Sequence, residues 1–305
     1  MLTRRRLVLV ANPAASQFTG GTHREVLARF RAEFEVDAQW PETAEAVIEV
    51  ATRAANERVD VVVAMGGDGV VNKVVNGIAG SGTALGIIPV GTTNVLAAIM
   101  GIDPDPIKAT ARIVSHPVSR PINLARITLD DGDPIYATFA AGVGFDAEVV
   151  HQAEQTPHKK LFMGGFHYAK TSVNVLWSQF RHRLPTLRVT VDDGSHDAVV
   201  AMIEVHWPYT YFGRVPLSLA KEAPTHGFHV AGLDQLPIRR VPSIAWATLR
   251  GSSWNGVPGG FQALDKDSVL VEADPPAYVQ ADGDLLGLAN RIEIESVPDG
   301  VLILA

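Results

Sequence analysis

Three short aliphatic runs, each closed by a turn and followed by a helix-spaced stripe, constrain this chain most. Leu7–Ala11, Val59–Met65 and Ala84–Pro89 are rich in apolar residues, as strands covered on both faces are. Val26, Leu27, Phe30 and Phe34 fall on one helical face. So do Val47, Val50, Ala51 and Ala54 after the helix start Pro41-Glu42-Thr43, and then Val71, Val74, Val75 and Ile78. Asn94–Met100 and Ile107–Val114 read as two further helices, separated by the loop Gly101–Pro106. Parallel strands need crossover connections, so this alternation predicts an α/β domain with a parallel sheet layered by helices.

The texture changes near residue 122. Asn123–Leu129, Tyr136–Ala141, Thr186–Val191, Ala198–Val205, Gly227–Leu233, Ser268–Ala273 and Arg291–Ser296 are short and β-rich. Asp130-Asp131-Gly132, Asp192-Asp193-Gly194 and Asp282-Gly283 supply turns. The second part therefore reads as all-β, an antiparallel sandwich or barrel. Helical inserts are expected near Gly165–Phe180 and Ile238–Leu249.

Composition narrows the classes of function. The 305 residues include no cysteine, which excludes a disulfide scaffold, thiolate metal sites and a cysteine nucleophile. With 26 basic and 33 acidic residues the formal charge is −7, which argues against general nucleic-acid binding. The chain is 47% hydrophobic and 19% charged, a folded composition whose low charge leaves apolar surface in want of a partner. Arg4-Arg5-Arg6 before Leu7–Ala11 imitates a signal peptide, but Asn12-Pro13 ends the apolar part early. No run approaches the ~18 residues of a membrane span. The expectation is a cytoplasmic protein without a permanent anchor.

Four loops carry polar chemistry. Gly66-Gly67-Asp68-Gly69 joins a strand to a helix that includes Val70 and Asn72. Such a turn brings backbone N–H groups close to a phosphate, or is a plain tight β–α turn. Gly91-Thr92-Thr93-Asn94 follows the next strand and either caps a helix or offers hydroxyl and amide groups to a nucleotide. Asn12-Pro13-Ala14-Ala15-Ser16 follows the first strand. In an open parallel sheet all three lie at the strands' carboxyl ends, where ligands bind. The fourth, Gln280-Ala281-Asp282-Gly283-Asp284, reads alone as a hairpin turn.

These motifs, together with Gly142-Val143-Gly144-Phe145-Asp146-Ala147, occur in an order and spacing that resembles the soluble diacylglycerol kinase family, which is similar to the sphingosine and ceramide kinases. The resemblance implies a Rossmann-like ATP-binding kinase domain over residues 1–121 and a lipid-binding β-sandwich over 122–296. It also implies a last strand within 297–305 that returns to the first domain, and ATP in the cleft between the two. Carried over by position, Asn12, Ser16, Gly66, Gly67, Asp68, Gly69, Val70, Asn72, Gly91, Thr92, Thr93 and Asn94 would line the ATP site, with Thr43 contributing. Asp282 would be the general base for a lipid hydroxyl, with Asp284 beside it. Asp68 would hold Mg²⁺ or order the phosphate loop. A carboxylate helps because a primary hydroxyl is a poor nucleophile.

The chain also departs from the pattern that the resemblance implies. Ser16 stands at a usual glycine, Val70 at a threonine, Lys73 at a glutamate and Val95 at an aspartate. Between Ala223 and His229, His226 and His229 replace carboxylates that bind a structural Mg²⁺ in bacterial relatives. They read as surface or satisfied histidines, so that metal site is expected to be absent. Gln155–Val191 holds no acidic residue but carries Lys159, Lys160, Lys170, Arg181, Arg183 and Arg188, interleaved with aromatic residues. This reads as a core-packed helix, or as an interfacial loop at His158–His167 that docks transiently on an anionic membrane. The expected partners are a lipid substrate and that surface, with room for a homodimer. Two rival readings remain at this point: an NAD-kinase-like kinase of a soluble metabolite, and a non-catalytic lipid-binding protein.

Overall fold

The computed structural model describes residues 4–115, 118–154, 184–192, 194–213 and 215–304. The chain forms two compact units, Met1–Asn123 with Asp299–Ala305, and Leu124–Pro298. The architecture is an α/β domain with a parallel sheet and an antiparallel β-sandwich.

In the first unit, β1 (Arg6–Ala11), β2 (Glu35–Gln39), β3 (Val61–Gly66) and β4 (Ala84–Pro89) are joined by the end of β16 (Asp284–Leu304). The order is β16–β4–β3–β1–β2, and all neighbours are parallel. Leu302, Ile303 and Leu304 pair with Ala84, Leu85 and Gly86. Every residue of β3 and β4 is buried. The helices are α1 (Gly20–Glu33), α2 (Ala44–Asn56), α3 (Asp68–Ile78), α4 (Val95–Ile99) and α5 (Pro106–Ser115). Phe30 and Ile113 meet Leu9, Val63, Met65 and Ile88 in one core. Thr19 and Thr43 start α1 and α2, each hydroxyl accepting an N–H of its helix's first turn, a cap typically worth ~1 kcal/mol. The sequence reading missed β2 because Glu35-Val36-Asp37-Ala38-Gln39 lies at the sheet edge and has no continuous apolar run.

In the second unit, β14 (Gly260–Lys266), β13 (Phe228–Leu233), β10 (Val200–Glu204), β7 (Ala140–Gly144), β15 (Ser268–Ala281) and β16 run side by side in that order. Their pairings are antiparallel. β8 (Leu187–Val191) pairs with β15 and β9 (Gly194–Ala198), and β5 (Ser119–Leu129) pairs with β16 and β6 (Ile135–Ala137). β11 (Thr210–Phe212) and β12 (Val215–Leu217) form a separate hairpin. Ile127, Val143, Val189, Ile203, Val230, Val271 and Ile292 face one another in the core. The turn residues Asp130, Asp192 and Asp282 all have positive φ.

Two local differences from the expected pattern matter. Tyr136–Ala141, expected as one strand, is broken into β6 and β7 because Thr138 and Phe139 turn their N–H groups to a side chain. A helix not expected, α6 (Phe145–Glu154), starts directly after Gly144 and buries Ala147, Val149, Val150 and Ala153. α7 (Val241–Arg250) lies where the insert at Ile238–Leu249 was expected. The insert at Gly165–Phe180 and the interfacial loop at His158–His167 fall outside the described residues. No described helix is long and apolar enough to cross a membrane.

Candidate active site

In the first unit the loops after β1, β3 and β4 are stitched into one surface. The Asn12 N–H donates to the Met65 carbonyl (3.0 Å), and its Oδ1 accepts from Ala14 N–H (2.9 Å). The Gln17 N–H donates to the Val90 carbonyl, and its Nε2 to Gly91 O, both at 2.9 Å. Ser16 Oγ and Thr92 Oγ1 share a hydrogen bond of 3.0 Å. Asn94, at φ 50°, folds its amide back on Gly91, accepting from N–H (3.0 Å) and donating to the carbonyl (2.9 Å). Asp68 Oδ1 accepts the Leu96 N–H at the start of α4 (3.2 Å).

Glycine at 67 and 91 is a steric demand. A Cβ on Gly91 would lie 2.5 Å from the Gly67 Cα, so only bare backbone allows the two turns to touch. Gly67 starts the eleven-residue α3 without a side-chain cap, so the positive end of that helix meets the Gly91 turn, next to which Thr92 and Thr93 are exposed. The backbone donors, the hydroxyls and the close loop approach fit an anionic phosphate. Half-buried Val70 packs its side chain against Gly66. Asn72 is buried, its Oδ1 accepting from Asn76 Nδ2 (3.1 Å) and Lys73 Nζ (3.4 Å). Thr43 caps α2, its hydroxyl accepting the Ala46 N–H (3.2 Å). The Glu45 carboxyl is held below its usual value by its own backbone N–H, by Thr43 and by Lys73.

The second unit builds its polar centre from buried side chains. β7 lies against β15 with Gly142 opposite Gln280 and Ala141 opposite Ala281, so two motifs far apart in sequence become neighbours. Asp282 is 6% exposed. Its Oδ2 accepts from Thr138 N–H (2.7 Å) and Thr138 Oγ1 (2.8 Å), and its Oδ1 from Phe139 N–H (2.9 Å) and Ala140 N–H (3.1 Å). Burial pushes its pKa up, against those donors. Asp284, two residues on, is half-buried at the start of β16.

Beside this turn stands a network that the sequence reading did not assign. Asp146 Oδ2 accepts from Tyr209 OH (2.6 Å) and Gln280 Nε2 (2.7 Å), and Gln280 Oε1 accepts the Gly283 N–H (2.9 Å). A Cβ on Gly142 would meet Asp146 Oδ2 at 2.1 Å. Burial raises the pKa of both Asp146 and Tyr209. Glu204 is fully buried at the end of β10, and its Oε2 accepts from Leu219 N–H (3.0 Å). Burial pushes it up to about 8, so it is protonated at neutral pH. A lone carboxylate within the otherwise apolar run Ala198–Val205 was the available signal for Glu204; nothing marked Tyr209.

The two histidines are engaged. His229 is buried, its Nε2 lies 3.1 Å from the Glu222 carbonyl, and its Nδ1 accepts from Asp265 N–H (3.1 Å). Both ring nitrogens are thus taken, and burial lowers the pKa. Exposed His226 contacts Thr225 Oγ1 (3.3 Å). Asp234 pairs with Arg240 (2.8 Å). No group of three or more metal-ligating side chains occurs among the described residues.

These two units, a phosphate-type loop surface on a parallel sheet and a β-sandwich with a carboxylate turn, define a class that comparison makes specific. Residues 6–127 match the model of the diacylglycerol kinase catalytic domain. Two Staphylococcus aureus proteins, from strains Mu3 and bovine RF122 and each named a "Putative lipid kinase", are 25% identical over 263 residues, covering 84% of this chain and 80% of theirs. A solved "putative diacylglycerol kinase" from Bacillus anthracis superposes with a TM-score of 0.76 at 17% identity, covering 100% of this chain and 98% of that one. A second Bacillus anthracis diacylglycerol kinase structure gives 0.70 at 16%, with the same coverage. At that identity the structural likeness shows the fold alone.

Proposed function

We propose that this protein is an ATP-dependent lipid kinase that transfers the γ-phosphate to the hydroxyl of diacylglycerol or a similar lipid. The observation that carries the reading is the stitched loop surface of the first unit, where Gly67 and Gly91 meet backbone to backbone at the uncapped start of α3. The relatives' names support a lipid as acceptor. When bound, Mg²⁺-ATP supplies the phosphoryl group and part of the charge neutralisation. Gly66, Gly67, Gly69 and Gly91 supply close backbone, Ser16, Thr92 and Thr93 hydroxyls, and Asn12 and Asn94 hold the loops in shape. Asp68 fixes the start of α4 and would supply a carboxylate to the nucleotide's metal; Mg²⁺ keeps waters and takes few protein ligands in such sites.

The Asp282–Asp284 turn orients the acceptor and takes its proton. Asp282 already accepts four hydrogen bonds. To act as the base it exchanges one of them for the substrate hydroxyl, and the Thr138 hydroxyl is the one that a side-chain rotation releases. Half-buried Asp284 stands beside it.

The test is phosphate transfer from Mg-ATP to diacylglycerol, other hydroxyl-bearing lipids in mixed micelles, and NAD. Product from a lipid, lost in Asp282→Asn, supports the proposal. Product from NAD alone makes the protein a soluble-metabolite kinase, and lipid binding without product makes it a non-catalytic lipid-binding protein.

A further inference from the structure

α7 is built inside out. Of its ten residues only Ala247 is buried, while Pro242, Ala245, Trp246 and Leu249 are exposed at the i, i+3, i+4, i+7 spacing of one helix face. An ordinary surface helix turns that stripe to the core. Trp246 is 58% and Leu249 51% exposed.

Two more exposed apolar side chains stand on the segments against this helix. Trp207, 38% exposed, donates its Nε1 to the Ala220 carbonyl (3.2 Å). That same oxygen lies 2.5 Å from where a Cβ of Gly251, at the end of α7, would be. Val215, 45% exposed, is on β12, which packs on α7 and leads to Ser218, whose N–H donates to the Thr248 carbonyl (3.1 Å).

Within the stretch that carries this helix the charges have one sign. From Gln235 to Leu264 there is no aspartate or glutamate. Arg239 is exposed before the helix, and the Arg250 guanidinium lies 4.2 Å over the Trp246 ring after it. Arg240, by contrast, is held by Asp234.

We propose that this face of the second unit docks on an anionic lipid leaflet, with Trp207 and Trp246 at headgroup depth, Leu249 and Val215 at the acyl boundary, and Arg239 and Arg250 on lipid phosphates. Amphipathic rings and cations flanking an apolar stripe are the chemistry of a membrane interface. A second copy would oppose cationic patch to cationic patch, because a two-fold interface uses the same surface twice. The face is also tied to the acceptor turn through the chain: Trp207 is two residues from Tyr209, which bonds Asp146, and Gln280 links that pair to Gly283. The inference rests on the lipid-kinase reading and names where that substrate's membrane is met.

The experiment sediments the full chain with vesicles of phosphatidylcholine, alone and with phosphatidylglycerol, beside Trp246→Glu/Leu249→Glu and Arg239→Gln/Arg250→Gln. Mass by light scattering and turnover on a dispersed short-chain diacylglycerol run in parallel. The expected result is binding that needs phosphatidylglycerol and falls by at least about 10-fold in either double variant (about 1.4 kcal/mol), with mass and short-chain turnover unchanged. Undiminished binding in both variants, or equal binding to neutral vesicles, overturns the proposal. So does a drop in mass in the variants, which would give the face to a second copy. Loss of vesicle binding in the variants of a protein that phosphorylates no lipid upholds this surface and rejects the kinase reading instead.

Discussion

The two units solve opposite problems with opposite materials. The first presents its polar surface almost wholly through backbone and small hydroxyls: glycines 67 and 91 in contact, an uncapped helix start, and Asn94 folded on Gly91. The second builds from side chains that titrate, buried Glu204, Tyr209 and Asp282 and half-buried Asp146, all with raised pKa. Backbone donors are fixed by the fold and indifferent to pH; buried carboxyls position precise neighbours but tie the unit's stability to protonation.

Breaking the first unit's device should have the largest effect. Gly91→Ala forces the two turns apart, since its Cβ has backbone 2.5 Å away, and Mg-ATP affinity measured by calorimetry should fall by about 100-fold or more. In the second unit, Asp146→Ala removes the shared acceptor of the Tyr209 hydroxyl and Gln280 Nε2, leaving the hydroxyl only its longer bond to the Ala141 carbonyl (3.3 Å). Chemical denaturation should report a loss of about 2 kcal/mol, with nucleotide affinity untouched.

The pH response separates the units further. Glu204 rises from 4.5 unfolded to about 8 folded, so between those values the folded state holds the extra proton. Its contribution therefore falls as pH rises from about 4.5 to 8, by at most about 1.4 kcal/mol per pH unit. Glu204→Gln should flatten the stability–pH curve across that window and stabilise the protein at its upper end. Asp146 and Asp282 shift in the same direction and leave a residual slope. The smallest effect belongs to Ser16→Ala: one exposed hydrogen bond to Thr92 is lost, and KM for ATP should rise about twofold (~0.5 kcal/mol).

The same contrast governs what the sequence disclosed. In the first unit each buried strand is a continuous apolar run and each helix a regular stripe, so β1, β3, β4 and α1–α3 were legible from local pattern. Edge strand β2 was not, because half of it faces water. In the second unit the short strands were recognisable, but the pairing of Gly142 with Gln280 depends on register between distant segments, which no local pattern encodes. The break at Thr138-Phe139 and the Asp146–Tyr209 contact follow from that register, so they were invisible for the same reason.

The division of labour has one direct test: Mg-ATP affinity and lipid turnover measured together on Asp282→Asn. Affinity within about twofold of the parent, with turnover lower by at least about 100-fold, is the predicted result. Turnover near that of the parent, or nucleotide binding lost along with turnover, would contradict the assignment of acceptor chemistry to the second unit.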